Sequence, residues 1–363
     1  MKINCDVLVV GAGPAGLIAS VLLSKKGFSV VILEKKKYVG SYSPKFDITE
    51  GNRIKSIIKE LNIIPNKISS RSEWASQNNT FILDSEIQDF YFKRGNTSDS
   101  LENNLFLKLQ EKLDLVTFLF DSEIVSIKNS GTDIRKINTK KYSISPKHVV
   151  FANGKDLSID QKLDLHSKVL ASFKGFGAIF TSPKTNLIPY AKIFFDWINA
   201  PGGYIYSGSV CQETFACIVI DDLFSEQVDL EKNLSVFIKK NFDNVHITNY
   251  FNGKGFCGLK DVLKGNVCCI GGNALFHDPF LGYGLNYAIE SAYYAAQSII
   301  KGEKQIYQSY STKIQDEIKM SFLARKIWRK ADDEFFNRLI QSLNGNIISE
   351  ESEILQLLKM FEE

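Results

Sequence analysis

The sequence predicts an α/β protein in which a three-layer domain with a parallel sheet carries an inserted antiparallel sheet and a helical C-terminus. An apolar run, a glycine-rich turn and an apolar segment of helical period follow one another within residues 6–26. Aromatic and β-branched residues dominate residues 166–254, which is typical of antiparallel strands. From Gln305 onward the apolar residues recur at helical spacing.

The composition sets limits on the class of protein. A chain of 363 residues, 44% of them hydrophobic, can bury a large core and predicts two connected domains. The net charge of +3 disfavours a dedicated nucleic-acid binder. The sequence shows no signal peptide pattern and no apolar stretch long enough for a transmembrane helix. Its six scattered cysteines form no C-x-x-C pair, so we expect reduced thiols, no metal site and a cytoplasmic location.

The opening segment predicts a nucleotide-binding βαβ unit. The apolar run from Asp6 to Val10 has the character of a parallel strand that is buried on both faces. A second β-rich run, from Phe28 to Leu33, ends in Glu34. Between the two strands lies a helical segment, which is preceded by a turn with G-x-G-x-x-G spacing: Gly11, Ala12, Gly13, Pro14, Ala15 and Gly16.

Each part of this Rossmann-like unit has a physical role. Gly11 allows a tight turn, Gly13 lets the backbone approach a pyrophosphate, and Gly16 allows close packing of helix on strand. The helix N-terminus offers free N–H groups and a positive dipole to phosphates. Glu34 can accept hydrogen bonds from ribose hydroxyls. A chance glycine-rich turn is the alternative, but strands, helix and acid in register favour a bound adenine dinucleotide.

The far end of the chain distinguishes FAD from NAD. A short strand over residues 265–270 leads into residues 271–286 and then into a long helix. This segment resembles the second FAD motif of the flavin monooxygenase and geranylgeranyl reductase superfamily, in which a Pro-x-x-Gly-x-Gly loop caps a helix that points at the flavin. The resemblance implies that FAD is the cofactor. It also implies flavin contacts from residues 279–284, the flavin loop, and from the helix start, through Pro279, Gly282, Tyr283, Gly284, Leu285 and Asn286.

Two positions depart from the superfamily pattern. The aspartate that bonds a flavin ribityl hydroxyl in the second motif is Gly272 here, so that bond is either supplied by Asn273 or lost. The Ala-Asp-Gly segment near the flavin is represented by Ala152, Asn153 and Gly154. The remaining cofactor contacts that the resemblance implies are Lys35, Gly40, Ser41, Arg94 and Val125.

Among the branches of the superfamily, the geranylgeranyl reductases fit best. The stretch from Glu34 to Gly40 resembles their acid–basic–Gly segment, and Pro201 to Tyr204 resembles the start of their substrate-sheet motif. The resemblance also implies a division of the chain. We expect a discontinuous FAD-binding domain (1–70, 100–165 and 255–300), an antiparallel-sheet substrate domain (71–99 and 166–254) and C-terminal helices (301–363).

The family implies that reduced FAD delivers a hydride to a C=C bond of an isoprenoid lipid. Phe195, Trp197 and Tyr206 are candidates for lining the substrate cavity, although ordinary core packing is the commoner role of any one such aromatic. Tyr204 is the first candidate for a residue near the reacting carbons. His277 could act as an acid or base near the flavin, or could be a loop residue that faces solvent. The electron donor is NAD(P)H or ferredoxin.

Two other functions stay open. One is an FAD-dependent monooxygenase of an aromatic or small hydrophobic substrate, and the other is a degenerate FAD-binding protein without turnover. The partner that we expect is a hydrophobic small molecule or lipid. The basic, apolar segment over residues 320–330 could rest on a membrane, or could be a helix packed on the body with a solvated basic face.

Overall fold

The structure is a computed structural model that describes residues 1–183 and 187–343. The part of the predicted C-terminal helices beyond Leu343 therefore lies outside the described residues. Strands and helices follow in chain order: β1 (Lys2–Val10), α1 (Pro14–Lys25), β2 (Val30–Leu33), β3 (Lys45–Glu50), α2 (Asn52–Glu60), β4 (Lys67–Ala75), β5 (Thr80–Arg94), α3 (Leu101–Gln110), β6 (Val116–Leu119), β7 (Ser126–Ser130), β8 (Asp133–Asn138), β9 (Ser143–Phe151), α4 (Asp160–Leu163), β10 (Ser167–Thr181), β11 (Ala191–Phe194), β12 (Tyr204–Val210), β13 (Glu213–Asp221), α5 (Leu230–Asn241), β14 (His246–Lys260), β15 (Leu263–Lys264), β16 (Val267–Cys269), α6 (Leu285–Lys301), α7 (Lys304–Trp328) and α8 (Asp333–Leu343).

The first sheet has β1 at its centre and is parallel around it. Its order is β15-β16-β9-β1-β2-β6, and β7 and β8 extend it as an antiparallel hairpin next to β9. Val7, Leu8 and Val9 of β1 are fully buried, as expected of a strand with both faces packed, and α1 packs against β1 and β2. The α/β fold that the sequence predicts is confirmed.

The second sheet is built mostly from antiparallel pairs, in the order β14-β10-β13-β12-β11-β4-β5-β3. Its long β10 and β14 pair along almost their entire length. At its other edge, β3 pairs with β5 from Lys45 to Glu50. The sheet thus includes β3 and the start of β4, which the sequence-based division assigned to the segment 1–70.

Helices α7 and α8 pack against the body of the protein. Ile314, Ile318 and Trp328 of α7 are buried, whereas Lys326 is exposed. One of the two interpretations of residues 320–330 was a packed helix with a solvated basic face; Arg325 does not belong to such a face. Arg325 is 1% exposed because Asp221, equally buried at the end of β13, forms an ion pair with it. Among the described residues, no helix is long and apolar enough to span a bilayer.

Candidate active site

The turn between β1 and α1 leaves no room for side chains at two of its glycines. Gly11 has a φ of +105°, and a Cβ atom there would lie 2.5 Å from the carbonyl oxygen of Ala152. A Cβ atom on Gly16 would lie 2.0 Å from the carbonyl oxygen of Gly11. Gly13 differs, because a Cβ atom there would meet nothing within 4 Å. Gly13 is the N-cap residue of α1, and no side chain caps this end of the helix. The first N–H groups of α1 are therefore free to bind a phosphate.

Glu34 stabilises this turn from the end of β2. Its carboxylate accepts hydrogen bonds from the backbone N–H groups of Ala12 and Lys36, both at 2.8 Å. A carboxylate has about four acceptor positions, so lone pairs remain for a ribose hydroxyl. Ala15 is buried behind the turn and Lys35 is exposed beside Glu34. These features fit the adenosine and pyrophosphate parts of FAD.

The nearby Gly40 and Ser41 belong to the link towards β3. Gly40 has a φ of +69°, and a Cβ atom there would lie 2.4 Å from the carbonyl oxygen of Gly95. Gly40 is therefore required by a close backbone approach. Ser41 is half-buried next to it.

A cavity of about 560 Å³ lies where the two sheets meet. The nucleotide-binding sheet contributes the motif loops, and the second sheet contributes apolar and aromatic side chains such as Ile193, Val219 and Phe251. Eleven residues that the sequence singled out line this cavity: Pro14, Arg94, Gly154, Tyr204, Tyr206, Gly272, His277, Gly282, Tyr283, Gly284 and Leu285.

Several predicted site residues lie away from this cavity. Phe195 is 1% exposed in a separate core, where it stacks on Phe336. Trp197 packs edge-on against Phe224. Val125 is 58% exposed just before β7. Phe195 lies there because α7 and α8 pack behind the second sheet, which the strand pattern alone could not reveal.

The asparagine beside Gly272 is turned away from the cavity. Asn273 is fully buried, and its Nδ2 donates to the carbonyl oxygen of Asp156 at 2.9 Å. Its Oδ1 and its backbone carbonyl both accept hydrogen bonds from the buried ammonium of Lys260. Lys260 also pairs with Asp160 at 2.6 Å. This geometry is against the alternative in which Asn273 replaces the missing aspartate.

The segment from Ala152 to Gly154 presents a free hydrogen-bond acceptor. The Nδ2 of Asn153 donates to the carbonyl oxygen of Asp156 at 3.1 Å. Its Oδ1 is buried and has no hydrogen-bond partner among the described residues. Ala152 is buried behind it, and Gly154 lies at the cavity wall. An unpaired buried oxygen at this point fits a flavin hydroxyl or N–H group.

A charged network that the sequence did not reveal lies beside the flavin loop. The guanidinium of Arg94 donates to Glu102 at 2.6 Å, and also contacts Asp47 and the Tyr42 hydroxyl. Burial disfavours the charge of Arg94, but Glu102 and its other partners raise its pKa. Burial would raise the pKa of Asp47, but Lys45 and Arg94 hold it below its usual range. Arg94 therefore uses its donors on protein groups.

The imidazole of His277 lies against the flavin loop. Burial and the nearby Lys45 lower its pKa to about 4, although Asp47 opposes this effect, so the ring is neutral at pH 7. Its Nδ1 has no hydrogen-bond partner among the described residues. A Cβ atom on Gly284 would lie 2.4 Å from the ring Nε2, so Gly284 must remain glycine while His277 occupies this position.

The remaining loop residues are held by the second sheet and by α6. The Tyr204 hydroxyl donates to the carbonyl oxygen of Leu281, which ties β12 to the flavin loop. Gly284 precedes α6 without a side-chain cap, so the first N–H groups of this helix also point towards the site. Pro279 is buried inside the loop, and Asn286 faces a smaller neighbouring cavity.

Comparisons with known proteins agree with this geometry. A family model described as an FAD binding domain matches residues 4–52. Digeranylgeranylglycerophospholipid reductase 3 of Methanosphaera stadtmanae is 26% identical over 94% of this chain and 91% of its own length. A geranylgeranyl bacteriochlorophyll reductase-like protein from Thermoplasma acidophilum superimposes with a TM-score of 0.82, at 18% identity, over 99% of this chain and 96% of that one. This chain is an FAD-dependent oxidoreductase similar to the geranylgeranyl reductases.

The same fold also serves other flavoenzymes. A 1H-pyrrole-2-carbonyl-[peptidyl-carrier protein] brominase of Pseudoalteromonas luteoviolacea is 23% identical over 81% of this oxidoreductase and 77% of its own length. The solved structure of a flavin-dependent brominase gives a TM-score of 0.73 at 15% identity, over 99% of both chains. The fold alone therefore leaves the substrate of this oxidoreductase open.

Proposed function

We propose that this oxidoreductase reduces carbon–carbon double bonds of an isoprenoid lipid. The observation that carries the proposal is the position of the cavity, whose apolar wall on the second sheet faces the flavin loop. Phe173, Ile193, Val219 and Phe251 present no charge to the space between them. Such a wall suits a polyprenyl chain, which has no polar group along its length. The names of the relatives, which are reductases of digeranylgeranylglycerophospholipids, support the same substrate class.

The bound flavin, once reduced, supplies the hydride. The role of the protein is to position the two reactants and to exclude water from the space between them. Tyr204 holds the flavin loop against the substrate wall through its bond to Leu281. The neutral His277 adds no charge at the loop. We propose Gly13, Glu34 and Gly154 as contacts of the FAD phosphates, ribose and flavin side, respectively.

The test is an anaerobic assay with FAD-loaded protein, dithionite and a panel of prenyl lipids, read by mass spectrometry. Dithionite replaces the natural donor, which we propose is NAD(P)H or ferredoxin. The expected result is a gain of two hydrogen atoms per reduced double bond. If no lipid gains mass, and an aromatic compound is instead consumed together with O₂, the monooxygenase alternative takes its place. If the protein binds no FAD at all, both enzymatic functions are excluded.

A pair of variants at Gly175 tests whether the lipid occupies the cavity. Gly175 lines the cavity on β10, and a Cβ atom there would be in ordinary contact with Cys217 and Val219. Gly175→Leu should therefore fold and bind FAD, but fill part of the cavity and abolish lipid reduction. Gly175→Ala is the matched control and should retain most of the activity. Equal activity of the two variants would place the substrate elsewhere.

We also propose that the protein takes its lipid from a membrane surface that carries anionic phospholipid. Leu323 and Met320 are exposed on α7, next to the exposed Lys326. Exposed apolar side chains beside basic ones suit an anionic interface. Co-flotation with phosphatidylglycerol vesicles should fall for Leu323→Asp and not for Leu113→Asp, a control at another exposed leucine. Equal flotation of both variants, or none for the wild type, would refute this docking face.

A further inference from the structure

Reduction of a double bond needs a proton as well as a hydride. The acidic groups on the apolar side of the main cavity hold their protons tightly. Burial raises the pKa of Tyr206 well above its usual value and that of Cys217 to about 12. The Tyr204 hydroxyl already donates to the carbonyl oxygen of Leu281. A group that gives up its proton more readily must therefore lie behind the cavity wall.

A side cavity of about 40 Å³ adjoins the main one. The two share a wall formed by Ile48, Ala191, Ile193 and Tyr283. The side cavity is large enough to hold water, provided that polar partners surround it. Tyr283 belongs to the flavin loop, so the side cavity lies behind a part of that loop.

The lining of the side cavity is largely apolar, but it includes two carboxyl groups and two unpaired polar oxygens. Glu50 of β3 and Asp89 of β5 both line it, and the two residues lie directly opposite each other in the antiparallel pair. Thr49 is 4% exposed, and its Oγ1 has no hydrogen-bond partner among the described residues. The buried Oδ1 of Asn286 is likewise unpaired within the described part of the chain. Both residues line the side cavity, and unpaired buried oxygens of this kind are usually satisfied by ordered water.

The two carboxyl groups cannot both be charged at low cost. Burial raises the pKa of Asp89 to about 8, and the charge of Glu50 adds to the effect. Asp89 is thus mostly protonated at neutral pH. A carboxylic acid whose pKa is close to the working pH is well suited to give up a proton and regain it.

We propose that Asp89 supplies the proton that completes reduction of the lipid double bond, through water held in the side cavity. The inference rests on the proposed lipid reduction. One alkene carbon accepts the hydride, and with it the two electrons, from the reduced flavin. The other carbon accepts a proton from a water molecule, which takes the proton of Asp89 in turn. The Asp89 carboxylate then recovers a proton from solvent, so each turnover consumes one hydride and one proton.

The other polar groups near Asp89 do not replace Glu50 as its charged neighbour. On β4, Ser69 and Ser72 are uncharged. The Lys67 ammonium lies 5.1 Å from the centre of the Tyr91 ring and donates to the carbonyl oxygens of Ile188 and Ser209.

Three further groups complete the surroundings of Asp89. Burial, and Asp89 itself, raise the pKa of the neighbouring Tyr91. Behind Asn286, the Glu290 carboxylate of α6 pairs with Arg53 of α2 at 3.1 Å. The pH response of Asp89 should therefore depend mainly on Glu50.

The experiment follows the anaerobic oxidation of dithionite-reduced, FAD-loaded enzyme by a prenyl lipid, as a function of pH. The wild-type rate should be constant at neutral pH and fall as the pH rises through about 8, because the protonated form of Asp89 is required. Asp89→Asn should lower the rate by about 100-fold or more, as for loss of a general acid, and abolish this pH limb. FAD affinity should stay unchanged.

Glu50→Gln tests the mechanism without removing the acid. Loss of the negative charge should lower the pKa of Asp89, so the alkaline limb should move to lower pH. A purely structural role for either residue would not move it. Asp84→Asn is the matched control, because Asp84 lies on the same strand, is 62% exposed and pairs with Arg71.

The outcomes separate the two proposals. If the wild type reduces lipid and the pH profiles of Asp89→Asn and Glu50→Gln match it, Asp89 is not the proton source, while the proposed function stands. If the wild type reduces no prenyl lipid, the proposed function fails, and the role of Asp89 fails with it.

Discussion

Gly272 occupies the position where related flavoenzymes carry an aspartate, and the structure indicates that the aspartate can be restored. A Cβ atom at this position would lie 3.4 Å from both the Cα of Gly154 and the Cε1 of His277, which is ordinary van der Waals contact. The substitution Gly272→Asp should therefore fold with little steric cost. Its carboxylate would point to the side of the cavity that is lined by Gly154.

The gain in affinity can be estimated from the hydrogen bond that the aspartate adds. A hydrogen bond between a carboxylate and a ribityl hydroxyl is worth about 1.5–3 kcal/mol. Since about 1.4 kcal/mol corresponds to a tenfold change, the Kd for FAD should fall by roughly 10- to 100-fold. Quenching of flavin fluorescence during titration measures this constant directly. The expected change in the Kd for FAD does not depend on any assumption about the substrate.

Gly272→Ala is the control for the added carbon atom. It should bind FAD as the wild type does, because the methyl group touches its neighbours without overlap. If Gly272→Asp binds FAD no more tightly than Gly272→Ala, the new carboxylate forms no hydrogen bond with a ribityl hydroxyl. The placement of the flavin against Gly272 would then be wrong.

Three further results are expected. Gly13→Ala should fold but lose FAD affinity, because its methyl group enters the open space at the turn. Gly16→Ala should fail to fold properly, because its methyl group would overlap the backbone of Gly11. Circular dichroism measures the folding of each variant, and flavin titration measures its affinity for FAD. Asp221→Asn should destabilise the protein by about 3–5 kcal/mol, since it leaves the 1% exposed Arg325 unpaired, and an unchanged thermal midpoint would contradict this. The free energy of unfolding should fall by up to about 3 kcal/mol from pH 6.5 to pH 4, because His277 becomes protonated at a higher pH in the unfolded chain than in the folded one. Urea denaturation measures this free energy, and His277→Asn should lack this part of its pH dependence.

The nucleotide-binding turn could be read from the sequence because its constraints are local. The positive φ of Gly11 and the close approach at Gly16 are consequences of spacing within six contiguous residues. The flavin loop was predicted from the resemblance of residues 271–286 to a known motif; the helix that should follow it is present, and the flavin contact stays a prediction. The role assigned to Asn273 could not be decided in this way, because its side chain could face either the cavity or Lys260.

The lining of the cavity was predicted only in part. Tyr204 and Tyr206 lie two residues apart on one face of β12, and both reach the cavity together with Gly282 of the flavin loop. Phe195 follows β11 immediately in the chain, yet lies in the core that α7 and α8 complete. Hydrophobic periodicity indicates that a side chain is buried, but it does not distinguish a cavity wall from a packed core.

The sequence by itself determined that the chain carries a nucleotide-binding βαβ unit and an inserted antiparallel sheet, because these depend on short-range spacing and on strand period. FAD and the flavin loop were predicted from the resemblance of residues 271–286 to a known motif. Tertiary structure alone decided which charges are buried together. Arg325 meets Asp221 across more than 100 residues, and Glu50 meets Asp89 only because β3 pairs with β5 in one register. The energies of buried charges depend on such distant partners, so the acid–base properties of the site became visible only in the folded chain.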